Sequence, residues 1–515
     1  MSRVVVVGAG VGGLAAAARL AALGHRVSVL EQAEAVGGKL GTERHEGFVF
    51  DTGPSLLTMP HVLEELFAAT GAPLADVLAL ERLEVACRYR FPDGTVLDLP
   101  GDPQLVPAAL DAALGQGRGA QWSALSRRAS AIWDLTHGPF LESPVGPRDL
   151  VRLARDPRDV ATVAPWRTLR GLGAAYLSDP RLRLLLDRYA TYTGSDPRRA
   201  PAALLTVPWA EQAFGSWYVP GRLGRIATAL TDRLDELGVE VRTGARVEEV
   251  LVEGGRATGV RLVGGEVVLA DVVVANADAT RLYADLLPGR AGRPGRRRLA
   301  RTTPSLAGFA LLLGLDEAPP DQPHHEVLFA EDYDAEFDAV FGRRGPARPA
   351  ERPTVYVSAP QDPAVVPHPG AGAWFVLVNA PRHDPSSGPS GGVDWDAPGL
   401  ATAYADRVLE LMAERGLEVR DRVVHRTVLT PADLERRTLT AGGSIYGTSS
   451  NGPRAAFLRP ANRSPVPGLL LVGGSSHPGG GLPLVLLSAR IVAGLVGPAE
   501  GGLSRGGRGA RRRRG

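Results

Sequence analysis

Near its start the chain carries an apolar run that suits a strand buried on both faces. Val4 to Val7 are four consecutive β-branched residues, followed by Gly8, then by good helix formers from Leu14 to Leu23, then by a second apolar run, Val27 to Leu30. Strand, glycine turn, helix and strand make one βαβ unit. A comparable alternation returns between Trp217 and Leu287, with a helix near Leu223 to Leu237, a strand at Val239 to Arg242, a hairpin-like pair over Val247 to Leu269 and a buried strand at Val272 to Ala275. The last elements are a strand at Leu469 to Val472, a glycine cluster and a helix opened by Pro483, a residue suited to a first helical turn. Apolar residues dominate Leu482 to Val496, but the stretch is interrupted by Ser488 and Arg490 and falls short of the roughly 20 residues needed to cross a bilayer. It reads as a buried helix.

Between these segments the pattern differs. Ala79 to Phe214 is Arg-rich and mixed helical without a glycine fingerprint, and Pro288 to Thr440 is broken by two Pro/Gly-rich loops, Arg343 to Pro353 and Pro381 to Gly399, where mobility is expected. A chain of 515 residues exceeds the roughly 250 to 300 at which single cores stop growing, so two domains are expected. The fold class is α/β: a Rossmann-like nucleotide-binding domain built from residues 1–78, 215–287 and 441–500, with a discontinuous α+β substrate domain from 79–214 and 288–440. Residues 501–515 form a basic tail, expected to be disordered.

Composition narrows the function classes. Apolar residues make up 44% and charged residues 22%, and the net charge of +2 speaks against a nucleic-acid-coating surface. The arginines of the tail, Arg505, Arg508 and Arg511 to Arg514, suit a solvated end better than a lipid anchor. One cysteine, Cys87, excludes an internal disulfide, a Cys-x-x-Cys pair and a thiolate metal site, so redox chemistry must come from a bound cofactor and no metal is expected. Met1 leads directly into the first strand without the parts of a signal peptide, which points to a cytoplasmic location.

The first turn supplies the chemistry. Gly8, Gly10 and Gly13 sit directly after a strand and before a helix: Gly8 for the tight turn, Gly10 for close approach of a pyrophosphate, Gly13 for packing of helix on strand. Glu31 ends the second strand, about 20 residues later, where a carboxylate can hold a ribose hydroxyl. Gly37, Gly38 and Lys39 follow, and this spacing resembles the second fingerprint of the large flavoprotein family that includes amine oxidases and carotenoid desaturases, which implies FAD. Gly53 and Val247 are placed with the cofactor-binding residues. No second glycine fingerprint precedes a helix: Gly370-Ala-Gly372 leads into the strand-like Trp374 to Val378. Without an NAD domain, electrons must pass to oxygen, a quinone or another diffusible acceptor.

At the other end the chain reads Gly473-Gly474-Ser-Ser-His477-Pro478-Gly479-Gly480-Gly481-Leu-Pro483. With Phe50 to Ser55, Val272 to Asp278 and Phe457 to Arg463, this resembles the bacterial-type phytoene desaturase family through most of the chain. Gly473, Gly474, His477, Pro478 and Gly479 then belong to the cofactor site, with small residues and backbone N–H groups beside the flavin and His477 more a structural than a proton-transfer residue. The resemblance implies a hydrophobic polyene substrate drawn from a membrane surface. A saturated C–C bond becomes a conjugated double bond as one hydrogen leaves as hydride to flavin N5 and the other as a proton, in a water-excluding tunnel. Pro147-Arg148-Asp149-Leu-Val-Arg152 resembles an Arg-Asp-x-x-Arg element of the family's substrate domain, making Asp149, held by Arg148 and Arg152, the candidate proton acceptor, with a surface salt-bridge cluster as the equal alternative. Gly443 to Gly447 with Asn451 and Phe457 looks closer to desaturases of hydroxylated carotenoids than of phytoene. Oxygenases and ketolases of the same family share these motifs, and a flavin-free lipid carrier and an amine oxidase are the more distant alternatives.

Overall fold

The computed structural model describes residues 1–144, 155–287, 289–390, 392–452 and 455–499. Strands β1 (Arg3–Val7), β2 (Arg26–Leu30), β3 (Glu240–Arg242), β4 (Val272–Ala275) and β5 (Leu469–Leu471) form one sheet in the order β5-β4-β1-β2-β3, with every neighbouring pair parallel. Central position explains the unbroken valines of β1, since a strand covered on both faces needs no polar side. Val4 and Val6 pack with helices α1 (Val11–Ala22), α2 (Arg225–Glu236) and α3 (Leu482–Val496). On the opposite face Val5 and Val7 meet Val247, Val250 and Val260 of an antiparallel three-stranded sheet, Val247–Glu253, Arg256–Leu262 and Val267–Leu269. Four fully buried alanines, Ala15 to Ala18, leave α1 no bulk to hold its neighbours away.

A seven-stranded mixed sheet forms the second core. Its order is Val423–Leu429, Ala307–Leu315, Gly372–Ala380, Val355–Ser358, His325–Leu328, Val85–Arg90 and Val96–Pro100. Ala307–Leu315 is buried at every position, as an interior strand requires. Helix Leu400–Glu414 packs against this sheet through Tyr404, Val408 and Met412, while helices between Val106 and Phe214, among them the long Arg118–Leu141, gather around Tyr89, Leu97 and Phe329.

The mixed helical stretch from Ala79 to Phe214 also holds strands that its pattern did not single out, since Val85–Arg90 and Val96–Pro100 pair as an antiparallel hairpin around Pro92-Asp93-Gly94. Arg88 and Arg90 mask its apolar alternation, but both are neutralised where they lie, Arg88 by Asp98 at 2.6 Å and Arg90 by Glu326 at 2.5 Å. Within the Pro381 to Gly399 loop, Trp395 is buried and donates its indole N–H to the Pro381 carbonyl at 2.9 Å, which anchors that segment to the sheet.

Candidate active site

Asn276, the residue after β4, is wedged between the two glycine turns. The turn after β1 begins at Gly8, with φ of +99°, whose N–H donates to the Leu30 carbonyl at 2.7 Å. A Cβ at Gly13 would lie 2.1 Å from the Gly8 carbonyl oxygen, so only glycine lets α1 start this close to the strand. At Gly10 a Cβ would lie 2.8 Å from the Asn276 amide nitrogen, and at Gly473 2.5 Å from the amide oxygen of the same side chain. Both turns line a cavity of about 1340 Å³.

Glu31 stands at the cavity's nucleotide end. Its carboxylate accepts the Ala9 N–H at 2.6 Å and the Ala33 N–H at 2.9 Å, which fix its position before any hydroxyl arrives. Val247 is buried alongside, two residues beyond Ala245, whose N–H donates to the Glu31 carbonyl. Gly37 and Gly38 have φ of +107° and +60°, and a Cβ on Gly38 would press on Gly10 at 3.2 Å, so the second glycine pair closes against the first turn. Gly53 packs against the Lys39 carbonyl, where a Cβ would lie 1.8 Å from the oxygen.

Lys39 is the only lysine in the chain. Its ammonium donates to the carbonyls of Ser444 at 3.0 Å and Ile445 at 2.6 Å, and the residue lines the cavity. Burial pulls its pKa down to about 8, opposed by the charge of Asp278. Asp278 adjoins Ser475, which accepts the Ala279 N–H at 2.9 Å, so a carboxylate lines the wall where Gly474, Ser475 and Ser476 have none.

Beyond β5 the chain turns at Gly473 and reaches α3 through His477 to Gly481. His477 is buried and its Nε2 donates to the Ser143 carbonyl at 2.9 Å, while burial pulls the ring pKa down to about 4, leaving it neutral at pH 7. That geometry fits the structural role. Gly480 has no room for a side chain, since a Cβ would lie 2.4 Å from the Tyr446 ring. Gly479 and Pro478 also line the cavity, as do Gly474 and the first turn of α3, whose N-terminus directs backbone N–H groups and a partial positive charge to this end. Arg459 was not foreseen. It is buried and donates to the carbonyls of Tyr446, Thr448 and Gly474 at 3.0, 2.6 and 2.9 Å, with no carboxylate within 4 Å among the described residues, and burial pulls its pKa down to about 10. The motif Phe457 to Arg463 marked this region without assigning Arg459 a task.

The rest of the cavity is a wide apolar compartment lined by Trp133, Phe140, Val163, Leu204, Phe375 and Leu377. A charged cluster lies in its wall. Arg188, 7% exposed, lies among the rings of Tyr192, Tyr89, Tyr189 and Tyr356 at 5.0, 5.4, 5.8 and 5.8 Å. Glu211 accepts the hydroxyls of Tyr189 at 2.7 Å and Tyr192 at 2.8 Å. The candidate catalytic residues Arg148, Asp149 and Arg152 lie outside the described residues.

These features suit a dinucleotide bearing an extended ring system, and the known proteins agree. Residues 11–365 match the model of the flavin-containing amine oxidoreductase family. A 4,4'-diapolycopene oxygenase of Methylomonas sp. is 35% identical over 95% of this chain and 97% of its own length. The chain belongs to this flavoprotein family, in its bacterial-type phytoene desaturase group. A hydroxyneurosporene desaturase of Rubrivivax gelatinosus is 35% identical over 95% of this chain and 92% of its own, and a zeta-carotene-forming phytoene desaturase of Myxococcus xanthus 36% over 95% and 93%. An oxidoreductase of Methanosarcina mazei shares the fold at a TM-score of 0.62 and 18% identity, over 95% of this chain and 98% of the other. The chain is an FAD-dependent oxidoreductase, and its glycine cradle, preset Glu31 and cavity fit that cofactor.

Proposed function

We propose that this enzyme is a carotenoid desaturase that introduces C=C bonds into a membrane-derived polyene. The observation that carries the reading is the continuity of one cavity from the Gly8–Glu31 nucleotide end, past the His477–Gly481 loop, into a compartment lined by aromatic and aliphatic side chains. Such walls exclude water and hold an apolar chain extended beside the loop. Gly8, Gly10, Gly13, Glu31, Gly37, Gly38 and Val247 hold the dinucleotide portion of FAD, with Lys39 bracing Ser444 and Ile445 behind it. Gly53, Gly473, Gly474, His477, Pro478 and Gly479 shape the ring end. FAD supplies the hydride acceptor when bound. Asp149, with Arg148 and Arg152, takes the proton, and it lies six residues beyond Ser143, the residue bonded to His477. Oxygen or a quinone would serve as the diffusible electron acceptor.

An amine oxidase is disfavoured by the tyrosine cage. Rings around a cation are how proteins bind ammonium groups, but here the protein's own Arg188 fills the space. Oxygenase activity is the second reading, favoured by the likeness to the Methylomonas protein. Expression in cells making phytoene, and separately in cells making hydroxylated lycopene derivatives, with pigment analysis, tests both. Longer conjugation supports desaturation, an added oxygen supports the second reading, and unchanged pigments in both hosts overturn the proposal.

A further inference from the structure

Arg188 ends the helix Pro180–Arg188, and its guanidinium is the least expected group in an apolar compartment. Of its five N–H donors, one is engaged among the described residues, donating to the Tyr89 hydroxyl at 3.2 Å. No carboxylate lies within 4 Å of it among those residues. Glu211, the nearby acid that balances its charge, has each oxygen engaged by a tyrosine hydroxyl. The aromatic faces stabilise the cation without consuming its hydrogen-bonding capacity. Free donors, held out of bulk water and facing a cavity, favour a ligand that brings an acceptor oxygen and penalise one that leaves them unpaired.

The cluster also borders the reacting end. Ser55, two residues beyond Gly53, shares a hydrogen bond of 2.7 Å with the Tyr356 hydroxyl, which is bonded in turn to His325 Nδ1 at 2.8 Å. Tyr446, whose ring abuts Gly480, lies within the field of Arg188: burial pushes its phenol up to about 12 and Arg188 opposes that rise. We propose that Arg188, with the Tyr356 and Ser55 hydroxyls at its edge, binds an oxygen carried near the end of the polyene, close to the bond being oxidised. The site thereby selects a hydroxyl-bearing chain over the hydrocarbon of equal length. This inference rests on the polyene reading and assigns the oxygen contact within it.

The test uses FAD-loaded full-length enzyme, titrated in detergent micelles with an acyclic polyene and with its terminal-hydroxyl derivative, reading perturbation of the flavin absorbance. A site built to hydrogen-bond a hydroxyl discriminates far more sharply than an apolar wall. Wild type should bind the hydroxylated chain at least tenfold more tightly. Arg188→Met should bring that ratio towards one, and so should Tyr356→Phe, which keeps the ring and the cage but deletes a hydroxyl, so that a misfolded Arg188 variant does not decide the outcome. Equal binding of both chains by wild type, or a ratio that survives in both flavin-loaded variants, overturns the proposal. Failure of wild type to bind either chain overturns the polyene reading itself, which is distinct from equal binding of both.

Discussion

Asn276 is the side chain against which both cofactor turns close. Gly10→Val would drive the added side chain into its amide, since even a Cβ there would lie 2.8 Å from the amide nitrogen. Purified Gly10→Val enzyme should therefore retain less than a tenth of the wild-type flavin absorbance per protein; full occupancy would remove Gly10 from the site. Lys39 gives a second prediction, with its sign set by linkage. Its pKa is about 8 in the fold and 10.5 in a model peptide, so the unfolded chain binds more protons between those values and stability rises with pH through that window. Against Lys39→Met, wild-type protein should gain in melting temperature from pH 8 to pH 10, and parallel curves would show that burial does not perturb the amine. The glycines and Glu31 could be picked out because they stand between strand and helix, and the structure places them in the cavity's turns and wall. Asn276, Arg459 and Arg188 could not, since each acts through partners far away in sequence, such as Arg188 with Tyr89 and Tyr356.

Where an element carries an unbroken apolar run of its own, its presence could be read directly. The valines of β1 and β4, the leucines of β5 and the helix α3 all stand where their apolar runs indicate. The hairpin of Val85–Arg90 and Val96–Pro100 escaped because the acids that neutralise Arg88 and Arg90 come from the partner strand and from Glu326 of another segment. Contact between elements also sets the next expectation. The link from His477 to Ser143 joins the loop before α3 to the segment that leads towards Asp149. If Asp149 takes the proton, Asp149→Asn should keep flavin content and lower turnover by roughly 100-fold or more, the scale of general-base catalysis. Arg152→Ala should lower turnover as well, whereas a mere surface ion pair would show only as reduced stability of a fully active folded fraction. Normal turnover by flavin-loaded Asp149→Asn enzyme would pass the role to another group.

At the scale of the molecule, the proposed function requires a polyene to pass from a bilayer into the compartment, and we propose that the side of the fold around Trp166 makes that contact. Among the described residues no helix is long and apolar enough to cross a membrane. Helix Pro157–Val163 and the residue Pro165 supply cavity wall through Val160, Val163 and Pro165, and the adjacent Trp166 is 67% exposed. Arg155, Arg158 and Arg167 of the same segment are exposed and outnumber its acids, Asp156 and Asp159. An exposed indole on a segment with a surplus of arginine suits the boundary between headgroups and acyl chains, where the ring finds both apolar and polar surroundings and the arginines meet anionic lipid. This placement depends on folding the segment beside the cavity, so its Arg-rich pattern alone did not mark it. Trp166→Glu should weaken co-sedimentation with vesicles containing anionic lipid by tenfold or more and slow turnover of vesicle-borne polyene by a similar factor. With substrate supplied in detergent micelles the loss should shrink, because no bilayer need be engaged. Equal loss in micelles and vesicles, with unchanged co-sedimentation, would place the indole in the fold's stability instead of at the membrane.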